Sequence, residues 1–260
     1  MLSLRQALSL DSIRSVGVSY KNLYSLSFDG VDEELVIPSD NISPNVSGGN
    51  RGWSISFWLK NDSGTKSQQI FSINKGGNSE FECFMRYNGQ VRLVLFGNDD
   101  TGISQYLNID TDFSDGAWHH FVFIYDLGSA STSIIAYVDN VAYSAALGNA
   151  TYSSAGTWAA VANTGEPFRV GYQGGSYGQV KVDELSVFDN VLSASNVSEI
   201  YNGGDTADVS SIAHLTGWWR MGDPTGQSAF PTILDKNPTS DNDGVMTNME
   251  AADIIADVPS

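Results

Sequence analysis

Trp53-Ser54-Ile55-Ser56-Phe57-Trp58-Leu59-Lys60 is the stretch that decides the class of fold. In an extended chain successive side chains point to opposite faces, so Trp53, Ile55, Phe57 and Leu59 share one face and Ser54, Ser56, Trp58 and Lys60 the other. This pattern reads as a β-strand with a buried side. The same period recurs on both sides of it. Upstream, Leu26 and Phe28 alternate with Ser25 and Ser27, and Leu35-Val36-Ile37 forms a short strand stopped by Pro38. Downstream, Ile70–Ile73, Phe81–Tyr87, Gln90–Phe96, Ile134–Val138 and Phe168–Gly171 read as strands. Trp118–Tyr125 is apolar on both faces and reads as a central strand.

The joints between these runs are also legible. Asn88-Gly89 marks a hairpin with both turn residues at positive φ. Asp139-Asn140 turns Ile134–Val138 back on itself. Val180 and Val182, then Leu185 and Val187, break the alternation by one residue, which predicts a β-bulge at Asp183-Glu184. Ser193–Tyr201 is the one predicted helix, capped by Ser193, apolar at Val197, Ile200 and Tyr201, and ended by Gly203. Residues 204–214 read as a linker. The aromatic strand Leu215-Thr216-Gly217-Trp218-Trp219-Arg220-Met221-Gly222-Asp223 follows, then a loop, Gly244–Met249 and an acidic tail. Many strands and one short helix predict an all-β antiparallel sandwich.

Lys and Arg number 13 against 30 Asp and Glu, a formal charge of −17. Such a field repels nucleic-acid backbones and anionic lipid and leaves carboxylates free for Ca²⁺. The single cysteine, Cys83, excludes an intrachain disulfide and reads as a small buried hydrophobe. No run of apolar residues is long enough to span a bilayer. Residues 1–22 have no leader pattern; Leu4, Leu8 and Ile13 are spaced as in a short amphipathic docking arm.

Four stretches together resemble a known family: Leu26-Ser27-Phe28-Asp29-Gly30-Val31-Asp32-Glu33-Glu34-Leu35, Trp53–Lys60, Asp115-Gly116-Ala117-Trp118-His119-His120-Phe121, and Val182-Asp183-Glu184-Leu185-Ser186-Val187-Phe188 with the helix after it. In this order they are similar to the laminin-G-like, concanavalin A-like lectin/glucanase superfamily, in the form common in tailed-phage structural proteins. The resemblance covers residues 24–202 and implies a jelly-roll of two curved sheets. Members usually begin with an aromatic strand that is missing upstream of Tyr24. Gly217–Asp223, Leu234-Asp235 and Asn242–Met246 match it. That segment reads three ways: as a permuted strand of its own domain, as a strand completing a neighbouring subunit, or as the start of a truncated repeat. The chain thus divides into an arm (1–22), a sandwich (23–203) and a linker with a completing strand (204–260).

The resemblance implies a Ca²⁺ site near a sheet rim, for which Asp29, Asp32 and Asp183 stand in place, with Glu184 beside them. Asp241-Asn242-Asp243-Gly244 lacks the spacing and closing Glu of a calcium loop and reads as a turn. Exposed aromatics beside polar loop residues suit sugars, and Tyr172, Gln173 and Tyr177 are the best such group, ahead of Tyr106 and Trp158. The glucanase pattern Glu-x-Asp-x-x-Glu is absent, and His119-His120 read as structural, so no catalytic residue is assigned. The expectation is a non-enzymatic virion protein of a tailed phage, a capsid decoration or a tail- or fibre-associated adhesin. It is expected to be a homo-oligomer docked through its arm, to bind surface glycans, and to use neither nucleic acid nor membrane insertion. The alternative is a soluble, calcium-dependent lectin.

Overall fold

The computed structural model describes residues 22–38, 42, 52–61, 67–75, 78–97, 104–126, 134–154, 161, 164–222, 230–237 and 239–260. Residues 1–21 of the predicted docking arm and Trp158 lie outside them. Strands numbered along the chain form two packed antiparallel sheets, a concanavalin A-like jelly-roll. The first sheet runs in the order β10 (Val141–Tyr143), β9 (Ile134–Val138), β8 (Trp118–Asp126), β3 (Gly52–Lys60), β15 (Lys181–Phe188), β1 (Ser25–Ser27) and β19 (Ile254–Ile255). The second runs β11 (Ala150–Ser154), β7 (Ser104–Ile109), β6 (Val91–Phe96), β5 (Asn78–Met85), β4 (Gln68–Lys75), β12 (Phe168–Val170), β2 (Glu34–Ile37), β18 (Gly244–Thr247) and β17 (Thr232–Ile233). A small hairpin, β13 (Tyr172–Gln173) and β14 (Ser176–Tyr177), stands apart from both.

The alternation of β3 is realised as read: Trp53, Ile55, Phe57 and Leu59 enter the core between the sheets. Its register with β8 is unbroken from Gly52↔Asp126 to Lys60↔Trp118. β8 is central, and its other face carries Val122 and Ile124 into a second apolar cluster under the helix α1 (Ala194–Tyr201). Ser193 caps α1 in a capping box with Asn196. The left-handed residue that ends the helix is Asn202, not Gly203, an allowed role because Asn tolerates that conformation. Residues 204–214 are no loose linker, since Val209 and Ile212 are buried in the helix cluster.

The strand β16 (Leu215–Trp219) pairs antiparallel with β15 of its own chain, Leu185↔Trp219 to Val187↔Gly217. β1 occupies the same flank of β15 further along, Leu26↔Val182 and Ser27↔Lys181. The two strands thus lie end to end beside one long neighbour. Adjacent residues of a strand face opposite ways, so Trp219 fills the main core while Trp218 packs into the helix cluster. Trp219 is fully buried, 6.4 Å from the Phe168 ring, and its indole N–H donates to the Asn242 carbonyl (2.8 Å). An aromatic of this size buries about 150–250 Å², a gross driving force of about 4–6 kcal/mol at roughly 25 cal/mol/Å². Gly217 is required beside it, since a Cβ there would strike the Trp219 ring. β18 and β19 then extend the two sheets against β2 and β1.

Two turns divide the Asn-Gly expectation between them. Asp139 and Asn140 both have positive φ, as a two-residue hairpin loop demands. At Asn88-Gly89 only Gly89 does, and its N–H donates to the Arg86 carbonyl while Arg86 and Gln90 close the loop. That is a three-residue loop with a left-handed glycine, one residue longer than the sequence suggests.

Candidate functional site

Tyr172-Gln173-Gly174-Gly175-Ser176-Tyr177 folds as a tight hairpin because Gly174 (φ 54°) and Gly175 (φ 88°) supply the two positive-φ residues. The cross-strand pair Tyr172↔Tyr177 brings the two rings to 5.1 Å at 59°. Ser72 Oγ donates to the Tyr172 carbonyl (2.8 Å) and fastens the hairpin to β4. The Arg169 guanidinium stands 5.4 Å from the centre of the Tyr172 ring, while its Nη1 donates to both oxygens of Glu34 (2.8 and 2.7 Å). Desolvation, with the Glu34 charge behind it, raises the Tyr177 phenol above its ordinary pKa. Tyr172, Gln173 and Tyr177 are all half-buried. The arrangement is two rigid ring faces with amide, hydroxyl and guanidinium groups at their margin.

The three aspartates put forward for Ca²⁺ are not brought together. Asp29 Oδ1 accepts from the Val31 N–H (2.7 Å) in a local turn, and Asp32 is exposed on the next loop. Asp183 is fully buried where β1 and β16 meet, accepting from Asn22 Nδ2 (2.6 Å) and from the Glu184 N–H (2.8 Å). Among the described residues no three His, Cys, Asp or Glu side chains are gathered as a metal-ligand set. These positions therefore do not fit a single ion. The sequence places the bulge correctly but not its purpose. Register slips between Asp183 and Ser186, and Glu184 takes φ 46°. This turns Glu184 toward Trp218 Nε1 (2.8 Å) and Arg220 Nε (3.3 Å). Burial first, and the Glu184 charge second, push the Asp183 carboxyl well above the usual carboxylate range.

A cleft of ≈ 530 Å³ opens beside β1, lined among others by Asp29, Glu33, Lys60, Lys181 and Asp253. Desolvation raises Glu33 to about 7, with Asp253 and Asp29 adding to it. Asp257 receives Lys60 (3.0 Å), Lys181 (2.7 Å) and Trp118 Nε1 (3.0 Å). Burial opposes its ionisation, but the lysines and the indole outweigh it and bring its pKa down to about 2. The sequence reading missed this clamp, since nothing in an acidic tail marks which carboxylate meets two lysines. His120 is buried, 2.8 Å from Ser56 Oγ, and pushed to about 3 by desolvation. His119 is held between Asp139 (2.7 Å) and Asp115 (3.2 Å). His120 thus bonds a serine hydroxyl buried within the sheet, and His119 ties the Asp139 turn to the loop at Asp115.

Residues 30–198, more than half of the chain, match the family model described as the concanavalin A-like lectin/glucanases superfamily, and the chain belongs to that superfamily. The matched region stops before β16. A candidate carbohydrate-binding protein from Bacteroides ovatus has a similar fold, with 12% identity and a TM-score of 0.61, over 92% of this chain and 62% of that one. This chain thus spans less than two thirds of that protein. The pentraxin of Limulus polyphemus (15% identity, TM-score 0.46, 86% of this chain and 95% of that one) and domains LG4-5 of the mouse laminin α1 chain (13%, 0.47, 68% and 44%) are also similar. No curated protein matches the sequence.

Proposed function

We propose that this chain is a non-enzymatic glycan-binding sandwich. The observation that carries the reading is the Tyr172–Tyr177 pair, two half-buried rings 5.1 Å apart on a two-glycine hairpin, with Gln173 beside them. Ring faces stack on the apolar face of a sugar, and a rigid hairpin lowers the entropy lost on binding. The name carried by the Bacteroides protein is in keeping with this. On a glycan array, with binders then titrated, Tyr172→Ala and Tyr177→Ala are each expected to weaken binding about tenfold, the scale of losing one buried aromatic contact. No binding to any glycan ends the reading. Running the array with EDTA tests calcium dependence; the scattered aspartates predict no change.

A tailed-phage virion is the setting that the family resemblance supports, as a decoration or adhesin. A sandwich whose one cysteine, Cys83, is buried and free suits assembly in a reducing cytoplasm. Absence of the protein from purified mature particles would end that placement.

A further inference from the structure

Cations are scarce in this chain, and most of those described are taken. Lys60 and Lys181 pair with Asp257, Arg169 with Glu34, and Arg220 with Glu184. Arg86 and Arg92 differ: among the described residues neither has a carboxylate within ion-pair reach. They also stand side by side. Phe81, Cys83, Met85, Val91 and Leu93 point into the core, so Phe84 and Arg86 on one strand, and Gln90 and Arg92 on the next, face outward. The register Phe84↔Arg92 sets Arg86 opposite Gln90.

Neutral groups hold both guanidiniums in place. Arg86 Nη1 donates to Gln90 Oε1 (3.0 Å). Arg92 lies over the Tyr106 ring, 4.3 Å from its centre, and its Nε donates to Asn108 Oδ1 (3.4 Å). Asn108 Nδ2 in turn donates to Gln90 Oε1 (3.0 Å) and Asp110 Oδ1 (2.6 Å). Asp110 is one carboxylate of this patch, its other oxygen accepting from Thr151 Oγ1 (2.8 Å); Glu82, on the same face beyond Phe84, accepts from Asn74 and Ser79. Burial, and then the Arg86 charge, lower the pKa of Arg92, with Tyr106 and Asp110 acting against them. Two neighbouring cations oriented by neutral groups, with no carboxylate among the described residues at ion-pair distance in a protein of charge −17, suit an external anion.

With its face on Tyr106 and its Nε engaged, Arg92 is left with its two Nη groups, the forked edge that matches the paired oxygens of a carboxylate or sulfate. Half-buried Phe84 and Tyr106 border it with apolar surface for the C–H face of a ring. We propose that Arg86 and Arg92, with Tyr106 and Phe84, form a second saccharide subsite that takes the acidic group of an anionic sugar unit. It lies on the face that carries the hairpin. Ser72, which fastens the hairpin, Glu82, Val94 and Tyr106 are successive register partners across β4 to β7. Three strand spacings separate the two places, roughly 14 Å, a span that a short oligosaccharide covers. The inference rests on the chain being a glycan binder, but not on the hairpin being a site.

Calorimetric titration of the full chain tests it, using oligogalacturonate for carboxylate, sulfated dextran oligosaccharide for sulfate, and plain dextran oligosaccharide as the neutral probe. One or both acidic probes are expected to bind at least tenfold more tightly than the neutral one. Arg86→Gln and Arg92→Gln are each expected to remove most of that preference, with Arg92→Lys intermediate because it keeps charge but not the fork. Unchanged melting temperatures of these outward-facing variants confirm the fold. Equal affinity for acidic and neutral probes, or acidic binding indifferent to both glutamine variants, overturns the subsite. A preference for acidic probes that survives Tyr172→Ala supports the subsite and counts against the hairpin alone. Failure of every probe, and of the array, overturns both readings together.

Discussion

Two carboxylate clusters lie at the two ends of β1, and they solve the same problem differently. At its start, Asp183 and Glu184 are buried, and Glu184 has Arg220 and the Trp218 indole at hand. At its end, Asp29, Glu33 and Asp253 border an open cleft, where Glu33 has risen to about 7. A carboxylate taken from water needs a cation, hydrogen-bond donors or a proton. In the first cluster Glu184 has the cation and the indole donor, while the buried Asp183, like Glu33 at the other end, is driven toward its protonated form. The cation comes from β16, so the C-terminal segment supplies what the bulge of β15 requires.

A chain ending at Asp205 breaks this comparison most severely. It loses β16 to β19, uncovers Leu185 and Val187, and removes Arg220; by denaturation and far-UV dichroism it is expected not to fold. A folded monomer of unchanged stability would show that the segment is no part of the core. Arg220→Met acts at one end of β1 only. It strands the Glu184 charge in a buried place, which costs about 3–5 kcal/mol, measured by urea unfolding; a loss below about 1 kcal/mol would mean the pair is dispensable.

Asp257→Asn is milder, about 1–2 kcal/mol at neutral pH, since the clamp is partly exposed and made of charge-assisted hydrogen bonds. The folded pKa of Asp257, about 2, lies below its ordinary value of 3.8. Its contribution is therefore complete above about 3.8 and lost as pH falls through about 2, and melts of the two proteins converge there. Glu33→Gln has the smallest and most specific effect. With a folded pKa of about 7 against 4.5, protonated Glu33 contributes stability that is present below about 4.5 and lost as pH rises through about 7. Gln mimics the neutral acid, so the variant gains on the wild type across that window; parallel pH profiles would show that Glu33 is already ionised.

Much of this was legible in residues. The period of two placed β3, the run apolar on both faces placed β8, the broken period at Val182 and Leu185 placed the bulge, and Ser193 placed the helix. Tyr172, Gln173 and Tyr177 were legible as an aromatic, Gly-rich loop, but the cross-strand pairing of the two rings came from the fold. The Ca²⁺ grouping of Asp29, Asp32 and Asp183 was not legible. Asp183 lies in β15 and Asp29 just past the end of its antiparallel neighbour β1, so their separation depends on register. The Arg86–Arg92 pair escaped for a related reason: its meaning is the absence of nearby carboxylates, which no local pattern records.

By itself the sequence determined the class of fold, its family and the identity of its inward faces, because alternation and turn chemistry act over a few residues. Only the tertiary structure decided that Leu215–Trp219 lies beside β15 in line with β1, that Arg220 meets Glu184, and that Asp257 closes on Lys60 and Lys181. These contacts join positions up to 197 residues apart. Strand pairing of that range is set by register and by competition among all available edges, and neither is written in any single stretch of the chain.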